Sequence, residues 1–430
     1  MSTVGHHQPL YKLVTAHYLI AGLFFLALSV MLLFSVEALS GHYFQPKILA
    51  LTHMAALGWG SMIIFGALYQ LLPVILETKL YSTKLAWYSL VLFTSGIILL
   101  IYCFWVFDPG HLMQMAAMLI LTAIVLVNIN VFFTVRHKKQ SFIVQDFILT
   151  ACLWLGLTAF LGTLMVFNFQ YPFLQKDHLH FLRLHAHMGI AGWFLMLIIG
   201  VSAKLMPMFL VSEYVRTGLL SWSYYLINAA LLLFLVDGYL YGINYRTYLI
   251  LSIGATGVFS YLFYIFRCFQ FRIRQEIDLP MLKSLFSFVF LVAGMLILPF
   301  ILYWHLKNDA IAVRLSTCYG GLIFMGWISM LIQGQTFKTL PFIVWVKHYE
   351  QLVGKVKTPL PSDLVNNILL YVQFAAFLFF LTGFLAGFLL NSYPLKMIAA
   401  VSLMITALSY LLQLVALLLH ETKIEDYDDV

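Results

Sequence analysis

Runs of twenty or more apolar residues recur from one end of the chain to the other, each long enough to cross a hydrocarbon core of about 30 Å as a helix. Composition agrees: of 430 residues 63% are hydrophobic and 10% charged, with mean hydropathy +0.95. An ordinary globular chain carries roughly 25% charged residues. The sequence therefore predicts an all-α polytopic membrane protein whose surroundings are the lipid bilayer. About twelve spans are expected, near 13–36, 47–75, 84–107, 112–134, 142–167, 182–211, 218–242, 246–266, 281–305, 312–340, 366–390 and 395–419. The net charge of +7 does not point to nucleic acid, because the basic residues stand in short loops, where they act first as topology signals. With the N-terminus placed in the cytoplasm, all but seven of the 24 Lys and Arg fall on cytoplasmic loops or span ends. The exceptions are Lys47, Lys176, Arg183, Arg246, Lys307, Arg314 and Lys396. Both termini are thus expected to be cytoplasmic, and the polar start "MSTVGHHQPLYK" is not that of a cleavable signal. Cys103, Cys152, Cys268 and Cys318 show no C-x-x-C spacing and read as packing residues.

The spans repeat. "GWGSMIIFGALYQLLP" (58–73), "GWFLMLIIGVSAKLMP" (192–207) and "GWISMLIQGQTFKTLP" (326–341) align without a gap, and Trp59, Trp193 and Trp327 are 134 residues apart. Five matched positions in three copies define three four-helix units, 1–135, 136–270 and 271–430, forming a single transmembrane domain. The third unit carries extra residues, read as a loop over 341–365. Trp, Gly and Pro stand seven apart, which on a uniform α-helix is nearly one face. Small residues there permit close helix approach in a bilayer, and the Pro is expected to kink or end the helix. These positions read as scaffold.

The copies differ just before Gly-Trp. His53 precedes its Trp by six residues, and His187 holds the same place in the second copy. His185 lies two residues earlier in "RLHAHMGIAGW", while the third copy has Gly321 at the histidine position and Tyr319 opposite His185. A histidine inside a span costs free energy unless it is paired, ligated or wet, so it is a functional hypothesis by default. Metal or haem ligation is the expectation, with a hydrogen-bonded or water-facing ring as the alternative. Residues two apart on an α-helix point roughly 200° apart, so His185 and His187 serve separate sites. His178 and His180 are read as outer-loop residues, and His17 as lying near the cytoplasmic end of the first span. Lys204 and Lys338 read as snorkelling residues, and Asp237 as a weak mark of a proton path.

Twelve spans in three units, histidines at the outer ends of the second helices, an H-x-H and a G-W…G…P tail resemble the catalytic subunit of the haem-copper oxidase superfamily, which includes cbb3-type oxidases and nitric oxide reductases. The resemblance implies a b-type haem between the second and sixth spans, held by His53 with His185 or His187. The preferred pair is His53 with His185, leaving His187 for a second haem or a copper ion. It also implies haem propionates paired with Arg183 and Arg314, for which interfacial snorkelling is the alternative, a quinol or c-type cytochrome as electron donor, partner subunits, and a bacterial inner membrane. The departures are specific. The tenth span has no histidine, the seventh lacks the His-His pair, and the sixth-span His is followed by no Tyr four residues on. An oxidoreductase of this descent would handle electrons, nitric oxide or oxygen at a divergent site, not as a conventional proton-pumping oxidase. A copper-handling or other transport protein without haem is the alternative, on the strength of His53-Met54 and His187-Met188.

Overall fold

A computed structural model describes residues 8–136, 143–214 and 216–423. The basic loop residues 137–142, His6, His7 and the acidic stretch 424–430 lie outside them. Among the described residues twelve helices are long and apolar enough to cross a membrane: α1 (Leu10–Leu33), α2 (Pro46–Leu76), α3 (Thr83–Val106), α4 (His111–Arg136), α5 (Ile143–Gln170), α6 (His178–Leu210), α7 (Gly218–Tyr241), α8 (Arg246–Gln270), α9 (Leu279–Leu306), α10 (Ile311–Leu352), α11 (Asn367–Leu389) and α12 (Tyr393–Leu418). Among the described residues there is no β-sheet. The chain is an all-α integral membrane protein. Its large exposed side chains are those of a lipid-facing surface, such as Val91 and Ile98 on α3, Leu232 and Val236 on α7, and Leu296 and Phe300 on α9.

Helix starts follow ordinary capping chemistry. Ser82 accepts from the Leu85 N–H at 3.3 Å before α3, and Asn366 accepts from the Ile368 and Leu369 N–H groups before α11. Asp177 accepts from the His180 N–H at 2.8 Å and so opens α6 at His178. His178 and His180 therefore occupy the first turn of a helix, not the loop that the sequence suggested. The stretch from 341 is also not a loop at first: the helix runs on to Tyr349 and closes in a 3₁₀ turn, Glu350–Leu352. Pro73, Pro207 and Pro341 all stand inside their helices. None ends its helix, as bilayer helices tolerate where neighbours and local adjustment satisfy the freed carbonyl.

The helices cluster into two compact units. One comprises Met1–Gln70, Asp278–Leu291 and Gly320–Val430; in it α11 and α12 form a hairpin and α12 packs on α1. The other comprises Leu71–Ile277 and Val292–Tyr319, where α3 pairs with α4, α4 with α5, α5 with α6 and α7 with α8.

The repeat glycines do what small residues do in a bilayer. A Cβ at Gly58 would stand 3.2 Å from Phe24 on α1, at Gly192 2.6 Å from Trp154 on α5, and at Gly326 2.8 Å from Phe290 on α9. One level further along, Gly66 meets His17, Gly200 meets Phe147 and Gly334 meets Ser284. Each second helix of a repeat thus lies directly on the first helix of the same repeat. The three tryptophans are 0–1% exposed. Trp59 stacks on Phe25 at 4.3 Å and donates its indole N–H to Ser329 Oγ at 2.9 Å.

One feature departs from the uniform α-helix assumed from sequence. In each repeat helix the turn around Gly-Trp is π-helical, over Met54–Ser61, Met188–Leu195 and Leu322–Ser329. The starts of these segments keep the 134-residue period. The Met62 N–H donates to the Leu57 carbonyl and the Met196 N–H to that of Ala191, five residues back. Such widened turns are rare and gather at functional sites.

Candidate functional site

His53 is the last α-helical residue of α2 before its π segment. Its Nδ1 lies 2.8 Å from the Leu49 carbonyl, four residues back. A carbonyl only accepts, so Nδ1 carries the hydrogen, and in the neutral ring the lone pair sits on Nε2. His187 repeats the arrangement: it is the residue before the second π segment, and its Nδ1 donates to the Arg183 carbonyl at 2.8 Å. Two imidazoles in equivalent places are thus fixed in one tautomer by the same backbone device. A ring nitrogen tied to a backbone carbonyl with the other presenting its lone pair is how proteins orient metal-ligating histidines.

His185 is held differently. Its Nδ1 donates to the Thr158 carbonyl on α5 at 3.1 Å. Gly162, one turn along α5, leaves room for the ring, because a Cβ there would stand 2.9 Å from His185 Cε1. His187 instead lies against Phe234 of α7 at 4.8 Å and stacks near Tyr319 of α10 at 6.4 Å. The H-x-H pair diverges onto different neighbours, as an offset of roughly 200° requires. His185, His187 and Arg183 belong to the second compact unit and His53 to the first. Arg183 is half-buried and Arg314 exposed, and neither guanidinium has an ion-pair partner among the described residues.

Other polar residues take structural roles. Asp237 pairs with Arg246 at 2.9 Å and accepts from Asn244 Nδ2 at 2.9 Å, which makes it a clasp across the α7–α8 turn. Lys338 is ion-paired with Asp278 and is not a snorkelling side chain, whereas Lys204 is exposed. The four cysteines are buried and form no disulfide among the described residues. Among the described residues no three of His, Cys, Asp and Glu gather as a metal-binding group.

Two features escaped the sequence reading. His17 is completely buried, with Nδ1 on the Leu13 carbonyl at 2.8 Å, Nε2 without a partner among the described residues and the Tyr69 ring 5.5 Å away. It uses the same four-residue backbone lock as His53, in the same compact unit. Lys283, 1% exposed near the start of α9, donates to Gln373 Oε1 at 2.6 Å. The available signal in both cases was an ionisable residue inside an apolar run. No known family model and no curated protein matches this chain.

Proposed function

We propose that the protein is a membrane-embedded haem-binding redox protein, similar to the catalytic subunit of haem-copper oxidases, built from three pseudo-symmetric four-helix units. The observation that carries this reading is the pair His53 and His187. Each holds its Nδ1–H on the carbonyl four residues back, directly before a π-helical turn. This donor set fits a haem iron: neutral imidazoles of fixed tautomer on rigid helices within an apolar surround. His53 would ligate a b-type haem, His185 would likewise be a haem ligand, and His187 would serve a second haem or a copper ion. Arg183 and Arg314 would meet propionates through charge-assisted hydrogen bonds. A b-type haem so held supplies one-electron exchange, which suits electron transfer from a quinol or a c-type cytochrome, or nitric oxide or oxygen chemistry at a divergent site. The chain's own residues orient the ligating rings, exclude water around them and supply the positive charges that retain the group. The setting proposed is a bacterial inner membrane, with both termini cytoplasmic and further subunits as partners.

The copper-transport alternative draws on Met54 and Met188. Met54 Sδ lies against Gly58 of its own helix, 2.9 Å from where a Cβ there would stand, and both methionines are buried. That packing role favours the haem reading. Ultraviolet-visible and electron paramagnetic resonance spectra of the purified protein, oxidised and then reduced, test it. A Soret band and a pyridine-haemochrome signal are expected, with the low-spin signal lost in His53→Ala. Copper without haem iron would support transport instead.

A further inference from the structure

We propose that His348 and His420 form a binding site for one divalent transition-metal ion of borderline softness, such as zinc, which clamps the segment after α12 to the end of α10. The two rings come from places far apart in the chain and stand with centroids 5.5 Å apart and planes at 81°. Each has one nitrogen engaged. His348 Nδ1 is 3.0 Å from Thr422 Oγ1, and His420 Nε2 is 2.9 Å from Tyr349 Oη. The Tyr349 oxygen also accepts from the Lys423 backbone N–H at 3.1 Å. In the tautomers in which Thr422 Oγ1 and Tyr349 Oη accept from these nitrogens, the lone pairs fall on His348 Nε2 and His420 Nδ1. His348 Nε2 is buried and has no hydrogen-bond partner among the described residues. A buried polar atom without a partner calls for one.

The separation decides what that partner is. With Zn–N bonds of about 2.0–2.1 Å, two imidazoles on one tetrahedral ion bring their ring centroids to about 5 Å. The observed 5.5 Å leaves room for an ion between them after a small adjustment of either ring. A water bridging two nitrogens would sit at hydrogen-bond distance from both and hold the rings further apart. Imidazole nitrogens suit zinc, copper(II) and nickel rather than magnesium or calcium, which take oxygen. Thr422 and Tyr349 would be the outer groups that orient the two ligands, a role whose loss typically costs 10–100-fold in affinity. The remaining coordination positions are open to water.

The test is zinc binding to the purified full-length protein in detergent, read by equilibrium dialysis with elemental analysis and by thermal unfolding. Wild type is expected to bind one more zinc per chain than His348→Asn or His420→Asn, and zinc is expected to raise its melting temperature but not theirs. Thr422→Val keeps both imidazoles and is expected to weaken binding at least tenfold. Equal zinc stoichiometry and affinity in wild type and both histidine variants would overturn the proposal, since binding at other histidines is common to all three. The site is independent of haem, and an absent Soret band would leave this test unaffected.

Discussion

Lys283 carries its amino nitrogen inside an apolar bundle, and its acceptor, Gln373 Oε1, lies 90 residues away in the chain. Leaving a buried polar group without its hydrogen-bond partner costs about 1–3 kcal/mol, and more where the group is charged. Gln373→Leu is therefore expected to destabilise by about 2–3 kcal/mol, read by thermal or denaturant unfolding in detergent. Lys283→Met combined with Gln373→Leu should recover most of the loss, because both polar partners then leave together. Gly162 sets a second constraint. A side chain there presses on His185 Cε1, so Gly162→Ala should cost about 1–3 kcal/mol by overpacking and shift any low-spin signal to which His185 contributes. The identity of His53, His185 and His187 as candidate ligands was legible, since histidines in apolar runs stand out. Their orientation was not. It rests on carbonyl oxygens of Leu49, Thr158 and Arg183, and sequence does not encode where a carbonyl points. Lys283 was passed over because a lysine near a helix start is ordinarily a snorkelling residue.

At the scale of the element, span positions were legible to within a few residues because the apolar runs are long and sharply bounded, except the end of α10, which runs on to Leu352. The start of α6 was missed. "KDHLHFLRLHAH" looks too polar for a span, although Asp177 is an N-cap signal. The π segments were invisible for a different reason. Where every face of a helix is apolar, hydrophobic periodicity carries no phase, so a widened turn leaves no trace. These turns carry a prediction of their own. Deleting Ala56 from Met54–Ser61 should rewind the segment toward α geometry and swing His53 by roughly 100° against Met62 and the residues beyond. Haem retention is expected to fall sharply while membrane insertion persists, with Ala56→Ser as a control that keeps both. Unaltered spectra in the deletion variant would show that the widened turn does not place the ligand.

At the scale of the whole molecule, the positive-inside asymmetry predicts a topology that reporters can read. Green fluorescent protein fused after Val430 should fluoresce, and alkaline phosphatase fused there should be inactive. The phosphatase placed after Asn308, between α9 and α10, should be active, and the reverse pattern would invert the orientation. The 134-residue period itself was fully legible, since matched letters need no three-dimensional context. Legible too was the loss of the third histidine, at Gly321, but not its physical reason. A Cβ at Gly321 would collide with the ring of Phe384 on α11, although the π turn behind it is the same as in the other two copies. The third copy is in this sense a fitted socket with a plug in it. Gly321→His alone should unfold or mispack, whereas Gly321→His with Phe384→Ala would offer an imidazole to an exogenous porphyrin, making the vacancy an engineering address.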